Sequence, residues 1–252
     1  MVADSLTQFP HDLKEGIDWL IALKGTDPEN NLKAMGAALY DFLADKPDGT
    51  MRMPALEEVK HITREFLEKP EIKYQPFVRG LISRLNEPVD QSTKKSFKGL
   101  SMVPKSAYET IIKSRGANPK AIAEKLGKVV DGCENFLKRI AVPDQYKCAY
   151  SSKATWAESC AKDPEACAVV LVGIAPMLYS GLRSLQIVSR DAFRQGPNSE
   201  ASERMEEVLE AVGYKEAEYQ SEKGRPIYKA LSGVDLGIFT VLYDVARYWA
   251  LY

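Results

Sequence analysis

Residues 166–182 read ACAVVLVGIAPMLYSGL, the longest apolar run in the chain. Two readings compete for such a run, a membrane span and the centre of a core. A spanning helix needs about 20 consecutive apolar residues. This run is shorter, is interrupted by Gly173, Pro176 and Ser180, and is flanked by Asp163, Glu165 and Arg183. It reads as a buried core helix that begins at Asp163-Pro164, an acidic cap followed by proline at the first helical position. Pro176 lacks the N–H that a helix interior uses, so a kink or break is expected there.

The rest of the chain supplies helices to surround it. Leu13, Ile17, Leu20 and Ile21 fall on one face of a helix over about 11–23, which Gly25 ends. Asp27-Pro28 starts a second helix, residues after Pro54 make a third, and residues 74–85 a fourth. A short helix is expected near 106–114. Asn118-Pro119 then opens a long helix whose Ile122, Leu126, Val129, Cys133, Phe136 and Ile140 alternate at spacings of four and three, a seam suited to a neighbouring helix. Met205, Val208, Leu209 and Val212 mark another helix, closed by Gly213. The stretch 234–252 is amphipathic, with Asp235, Asp244 and Arg247 on its polar side. Period-two alternation is nearly absent. The expectation is an all-α bundle of eight or nine helices, organised as an N-terminal helical part (1–90), a linker (91–105) and a C-terminal helical part (106–252) in one compact unit.

Composition agrees with a soluble globular chain: 252 residues, 45% hydrophobic and 27% charged. The formal net charge of −1 provides no global field for nucleic acid or anionic membrane. That balance hides an uneven distribution. Residues 1–90 carry 11 basic and 16 acidic side chains, 91–140 carry 11 and 4, and 141–252 carry 12 and 15. Lys94, Lys95, Lys98 and Lys105 stand in a Ser/Thr-rich loop without an intervening acid. They are candidate contacts for an anionic ligand such as a sulfated glycan or sialic acid, weighed against a merely solvated loop. The N-terminus shows no signal peptide, no Asn-x-Ser/Thr sequon occurs, and the apolar end at Trp249–Tyr252 reads as a cut from a longer protein, with docking of these residues into the core as the alternative.

Cys133, Cys148, Cys160 and Cys167 fall within 35 residues at gaps of 15, 12 and 7. Neither His11 nor His61 is near in sequence, and no C-x-x-C pair occurs, so a zinc site is not expected. An even, clustered set points to two disulfides that staple the region 133–167, with three connectivities open. Cys160 with Cys167 would join one helix end to the next helix start, leaving Cys133 with Cys148 to close a loop worth on the order of 3 kcal/mol. Four thiols in a reducing cytosol are the alternative. No nucleotide-binding, metalloprotease, esterase or EF-hand motif is present, and His61 sits on a solvated helix face. No enzyme, metal or cofactor is implied.

The opening Ser5-Leu6-Thr7-Gln8-Phe9-Pro10-His11-Asp12-Leu13-Lys14-Glu15-Gly16-Ile17-Asp18-Trp19 resembles the start of the variant erythrocyte surface antigens of Babesia and related piroplasm parasites. Residues 172–182 and 242–250 are more loosely similar to later segments of those proteins. The resemblance implies export to the infected red-cell surface without a conventional signal peptide, antigenic variation, and cytoadhesion through a host cell-surface protein or glycan. It also implies a cysteine- and lysine-rich region, and it carries over no catalytic residue. Family members usually add a C-terminal membrane span that this chain lacks, which suggests a truncated ectodomain or a short soluble relative. The alternative reading is an intracellular helical scaffold or protein–protein interaction module.

Overall fold

The computed structural model describes residues 2–45, 54–86, 118–219 and 225–248. Ten α-helices lie among them: α1 (Leu13–Lys24), α2 (Pro28–Asp45), α3 (Pro54–Leu67), α4 (Pro76–Asn86), α5 (Pro119–Ile140), α6 (Trp156–Ser159), α7 (Pro164–Gln195), α8 (Glu200–Ala211), α9 (Arg225–Ala230) and α10 (Leu236–Tyr248). The chain is all-α. Among the described residues, β-type pairing is limited to two isolated bridges, Ala3 with Tyr150 and Ala141 with Tyr219.

Local signals place most helix starts. Asp12, Asn118 and Asp163 each adopt a non-helical cap conformation and accept a hydrogen bond from a backbone N–H three residues on. At the other end of α8, Gly213 takes φ +103, a left-handed conformation that glycine adopts without a Cβ penalty. The one-turn α6 and short α9 carry too little periodicity to announce themselves in the sequence. The short helix expected near 106–114 and the basic segment with Lys94, Lys95, Lys98 and Lys105 lie outside the described residues.

The apolar run is the axis of the bundle. Every residue from Cys167 to Leu178 is buried, and α1, α2, α3, α4, α8, α9 and α10 all pack against α7. It is the one helix among the described residues that is long and apolar enough to cross a membrane; here 83% of its most apolar window is covered by the rest of the protein. The seam of α5 is also buried at Leu126, Val129, Cys133, Phe136 and Ile140. Helices α1, α2, α9 and α10 lie against both α5 and α7, so elements from both sides of the 91–105 segment share one core.

Of the kink or break expected at Pro176, the break does not occur. Helix α7 continues through the proline over 32 residues. Proline strands the carbonyl four residues earlier, at Val172, and such a defect costs about 3 kcal/mol in an isolated helix. Tertiary packing offsets it: neighbouring helices enclose the segment, and Thr63 Oγ1 donates to the next carbonyl, that of Gly173, at 2.8 Å. Ser180 Oγ donates to the Pro176 carbonyl at 2.7 Å.

Helix α3 approaches so closely because position 173 has no side chain. A Cβ built there would lie 2.1 Å from a methyl of Val59. Gly173→Ala is therefore expected to cost about 1–3 kcal/mol by overpacking, read as a lower urea midpoint. Gly80→Ala on α4, where a Cβ would meet nothing within 4 Å, is expected to stabilise by about 0.5–1 kcal/mol through helix propensity, read as a higher urea midpoint.

Candidate functional site

The cysteines and the N-terminal motif, read separately in the sequence, meet in space. Residues 2–12 run as a strap, with a turn over 5–8, across the loop 141–155. Ala3 N–H donates to the Ala149 carbonyl at 2.8 Å and Ser151 N–H to the Ala3 carbonyl at 2.9 Å. Leu6 is fully buried; its N–H donates to Ser159 Oγ at 2.9 Å, and its carbonyl accepts from the Trp19 indole at 2.8 Å. Tyr150 O–H donates to the Gln8 carbonyl at 2.7 Å. At the turn into α1, Glu15 N–H donates to Asp12 Oδ1 at 2.9 Å, while Glu15 Oε2 accepts from His11 N–H at 2.7 Å.

Beneath the strap is a polar cluster built on α1. Lys14 and Asp18 are four residues apart and both buried. Lys14 Nζ donates to the Lys147 carbonyl at 2.5 Å, lies 3.3 Å from Glu218 Oε1 and stands over the Tyr146 ring at 4.7 Å. Asp18 accepts from Tyr146 O–H at 2.6 Å and from Ala149 N–H at 2.8 Å. Glu218 accepts from the backbone N–H groups of Lys147 and Lys215, each at 3.2 Å. Loop 144–150 is thus held from below by one ammonium and two carboxylates.

Burial and pairing pull these groups in different directions. Loss of water raises the Asp18 carboxyl, against the lowering effect of Tyr146, Ala149 and Lys14. Burial also acts to raise Glu218, yet two backbone N–H groups and Lys14 outweigh it and hold that carboxyl low. Asp12 is half-buried, with its carboxylate pressed on the backbone of Gly213, and loss of water raises it to about 6. Tyr214 is buried beside this cluster, and among the described residues its hydroxyl has no hydrogen-bond partner. These polar groups left no motif in the sequence: Asp18 lies beside, not within, the face of Leu13, Ile17 and Ile21, and its partners come from distant segments.

Of the four cysteines, two are bridged. Cys160, at the end of α6, pairs with Cys167 in the first turn of α7, across a Cα separation of 5.8 Å. The second expected bridge is absent. Cys133 is a thiol inside the core and Cys148 a thiol on the exposed loop, and side chains on opposite sides of the packing boundary are not placed to bond. Burial pushes the Cys133 thiol up to about 12. Loss of water and the nearby Asp18 also raise Cys148. No set of His, Cys, Asp and Glu suited to a metal ion occurs among the described residues. His61 is exposed, 3.7 Å from Glu65.

No known protein family, characterised protein or solved structure matches the chain.

Elsewhere, an open groove of about 530 Å³ between the end of α7 and α8 is lined by Asp191, Glu200, Glu203 and Glu207 with Arg204. It adjoins a second depression, of about 380 Å³, beside Lys69 and Glu71. Arg204 is already engaged, donating to the Glu71 carbonyl at 2.7 Å and lying 3.5 Å from Glu207.

What the clasp does physically is fix an irregular loop carrying an exposed thiol. Tyr146→Phe removes a donor to a buried carboxylate and is expected to cost about 1.5–3 kcal/mol. The check is urea unfolding combined with limited proteolysis, which should cut first within 141–155.

Proposed function

We propose that the chain is a non-enzymatic display and adhesion domain, exported to the surface of an infected red cell, where it presents a variable face and binds a host cell-surface protein or glycan. The resemblance of residues 5–19 to piroplasm variant surface antigens supports the reading. The observation that carries it is the Cys160–Cys167 bridge, because disulfides form and persist in oxidising compartments and are rare in a reducing cytosol. The architecture suits the role. The motif that carries the resemblance is spent on the clasp and the core, through Leu6, Asp18 and Trp19, so exposed positions on α8 and elsewhere are free to change without disturbing the fold.

A second reading has its own observation. Cys133 and Cys148 are thiols, which favours an intracellular helical scaffold or interaction module.

Two measurements on protein from its native source separate the readings. In alkylation mass spectrometry without reductant, the display reading expects the 160–167 bridge intact, Cys148 labelled in the folded protein and Cys133 labelled only after denaturation. Antibodies against the folded domain should stain intact infected red cells. Four alkylatable thiols, or staining only after permeabilisation, would overturn the display reading. Under the chain-entropy relation, opening the bridge with Cys167→Ser is expected to cost roughly 2.5 kcal/mol, read by urea denaturation.

A further inference from the structure

The clasp concentrates more negative charge than its cations answer. Asp12, Asp18 and Glu218 each lie near the buried Tyr214 hydroxyl. Lys14 is committed to Glu218 and the Lys147 carbonyl. Lys69, from the α3–α4 connection, donates to the Ala211 carbonyl at 2.6 Å and reaches Asp12 only through space. The groups that act on Asp12 are therefore Glu15 and Lys14 on its own helix and Lys69, with the Tyr214 hydroxyl nearby from beyond α8. Exposed His11 precedes it in the chain. Among the described residues no cation contacts the Asp12 carboxylate directly; a Cβ built at Gly213 would lie 2.4 Å from each of its oxygens.

Asp12 also stands at a mechanical junction. It ends the strap and caps α1. Two residues on, Lys14 N–H donates to the Val212 carbonyl at 3.1 Å, tying α1 to the end of α8. Lifting the strap would move Asp12 from the Gly213 backbone into water, where its charge is solvated.

We propose that the strap is a proton-operated latch: uptake of one proton by Asp12 in mild acid tightens the seam that joins residues 2–14 to residues 149–151 and 212–214. The direction follows from linkage. A carboxyl that holds its proton up to about pH 6 when docked, and only to its ordinary range when released, binds protons preferentially in the closed form. Closure is favoured fully below the released value and loses that advantage as pH rises through the docked one.

The test is hydrogen–deuterium exchange of the full chain at pH 5.0 and 7.5, corrected for the pH dependence of chemical exchange. Peptides covering 2–14 and 147–152 should be about tenfold better protected at the lower pH, while the amides of α7 show no matching step. Asp12→Asn keeps a capping side chain and should give strong, pH-independent protection. Asp18→Asn and His11→Gln should each retain the step. A step that survives Asp12→Asn overturns the proposal, as does one that vanishes in Asp18→Asn or His11→Gln. So does faster exchange of the strap at pH 5.0, or an equal step in α7.

Discussion

A helix that is apolar on every side can be stable in water only if every side is covered. That constraint on residues 167–178 organises the molecule. Each fully buried Leu- or Val-sized side chain contributes about 1.5–3 kcal/mol, so enclosing α7 outweighs the defect that Pro176 introduces. It also dictates small residues at the closest approaches. Val59 lies over Gly173, while Leu178 lies over Gly16 and Leu13 over Gly181, an exchange of large and small that draws α1 down onto α7.

The polar clasp depends on that packing. Helix α1 is fixed by its apolar residues against α5 and α7, and Lys14 and Asp18 are thereby carried beneath a loop that has no core of its own. A buried carboxylate without donors would be costly; Tyr146 and the Ala149 N–H supply them. The loop gains order from polar contacts and α1 has its charges satisfied by the loop. At the C-terminal end of α1, Lys24 meets Asp131 at 2.9 Å and Glu134 at 2.6 Å on α5, in a more exposed setting where ion pairs contribute less.

Much of the fold was legible because its signals are local. Proline at the first helical turn and Asp or Asn as cap announce α2, α5 and α7 within a few residues, and the spacing of Leu126 to Ile140 announces a buried seam. What was not legible depends on distant partners. The continuity of α7 through Pro176 rests on helices that surround it, including α3 with its Thr63 hydroxyl, from more than a hundred residues earlier. Which cysteines pair depends on where α6 ends relative to α7, and Cys133 could be recognised as buried on its seam but not as unpaired. The clasp was not legible: Lys14 and Asp18 meet Tyr146, Ala149 and Glu218 only in three dimensions, across more than a hundred residues of chain.

The central position of α7 also sets an order of events during synthesis. Helices α1 to α5 leave the ribosome before the helix that most of them pack against. Until residue 195 has emerged, Leu13, Ile17, Val59 and Phe66 have no finished core to enter, and their apolar faces stay open to water or to whatever holds the nascent chain. The strap waits similarly for residues 149–151, and Lys14 for Glu218. Local helix formation can begin early, but the cooperative unit is completed late, so the interval between α1 and α8 is when this chain is most exposed to aggregation and most dependent on chaperones.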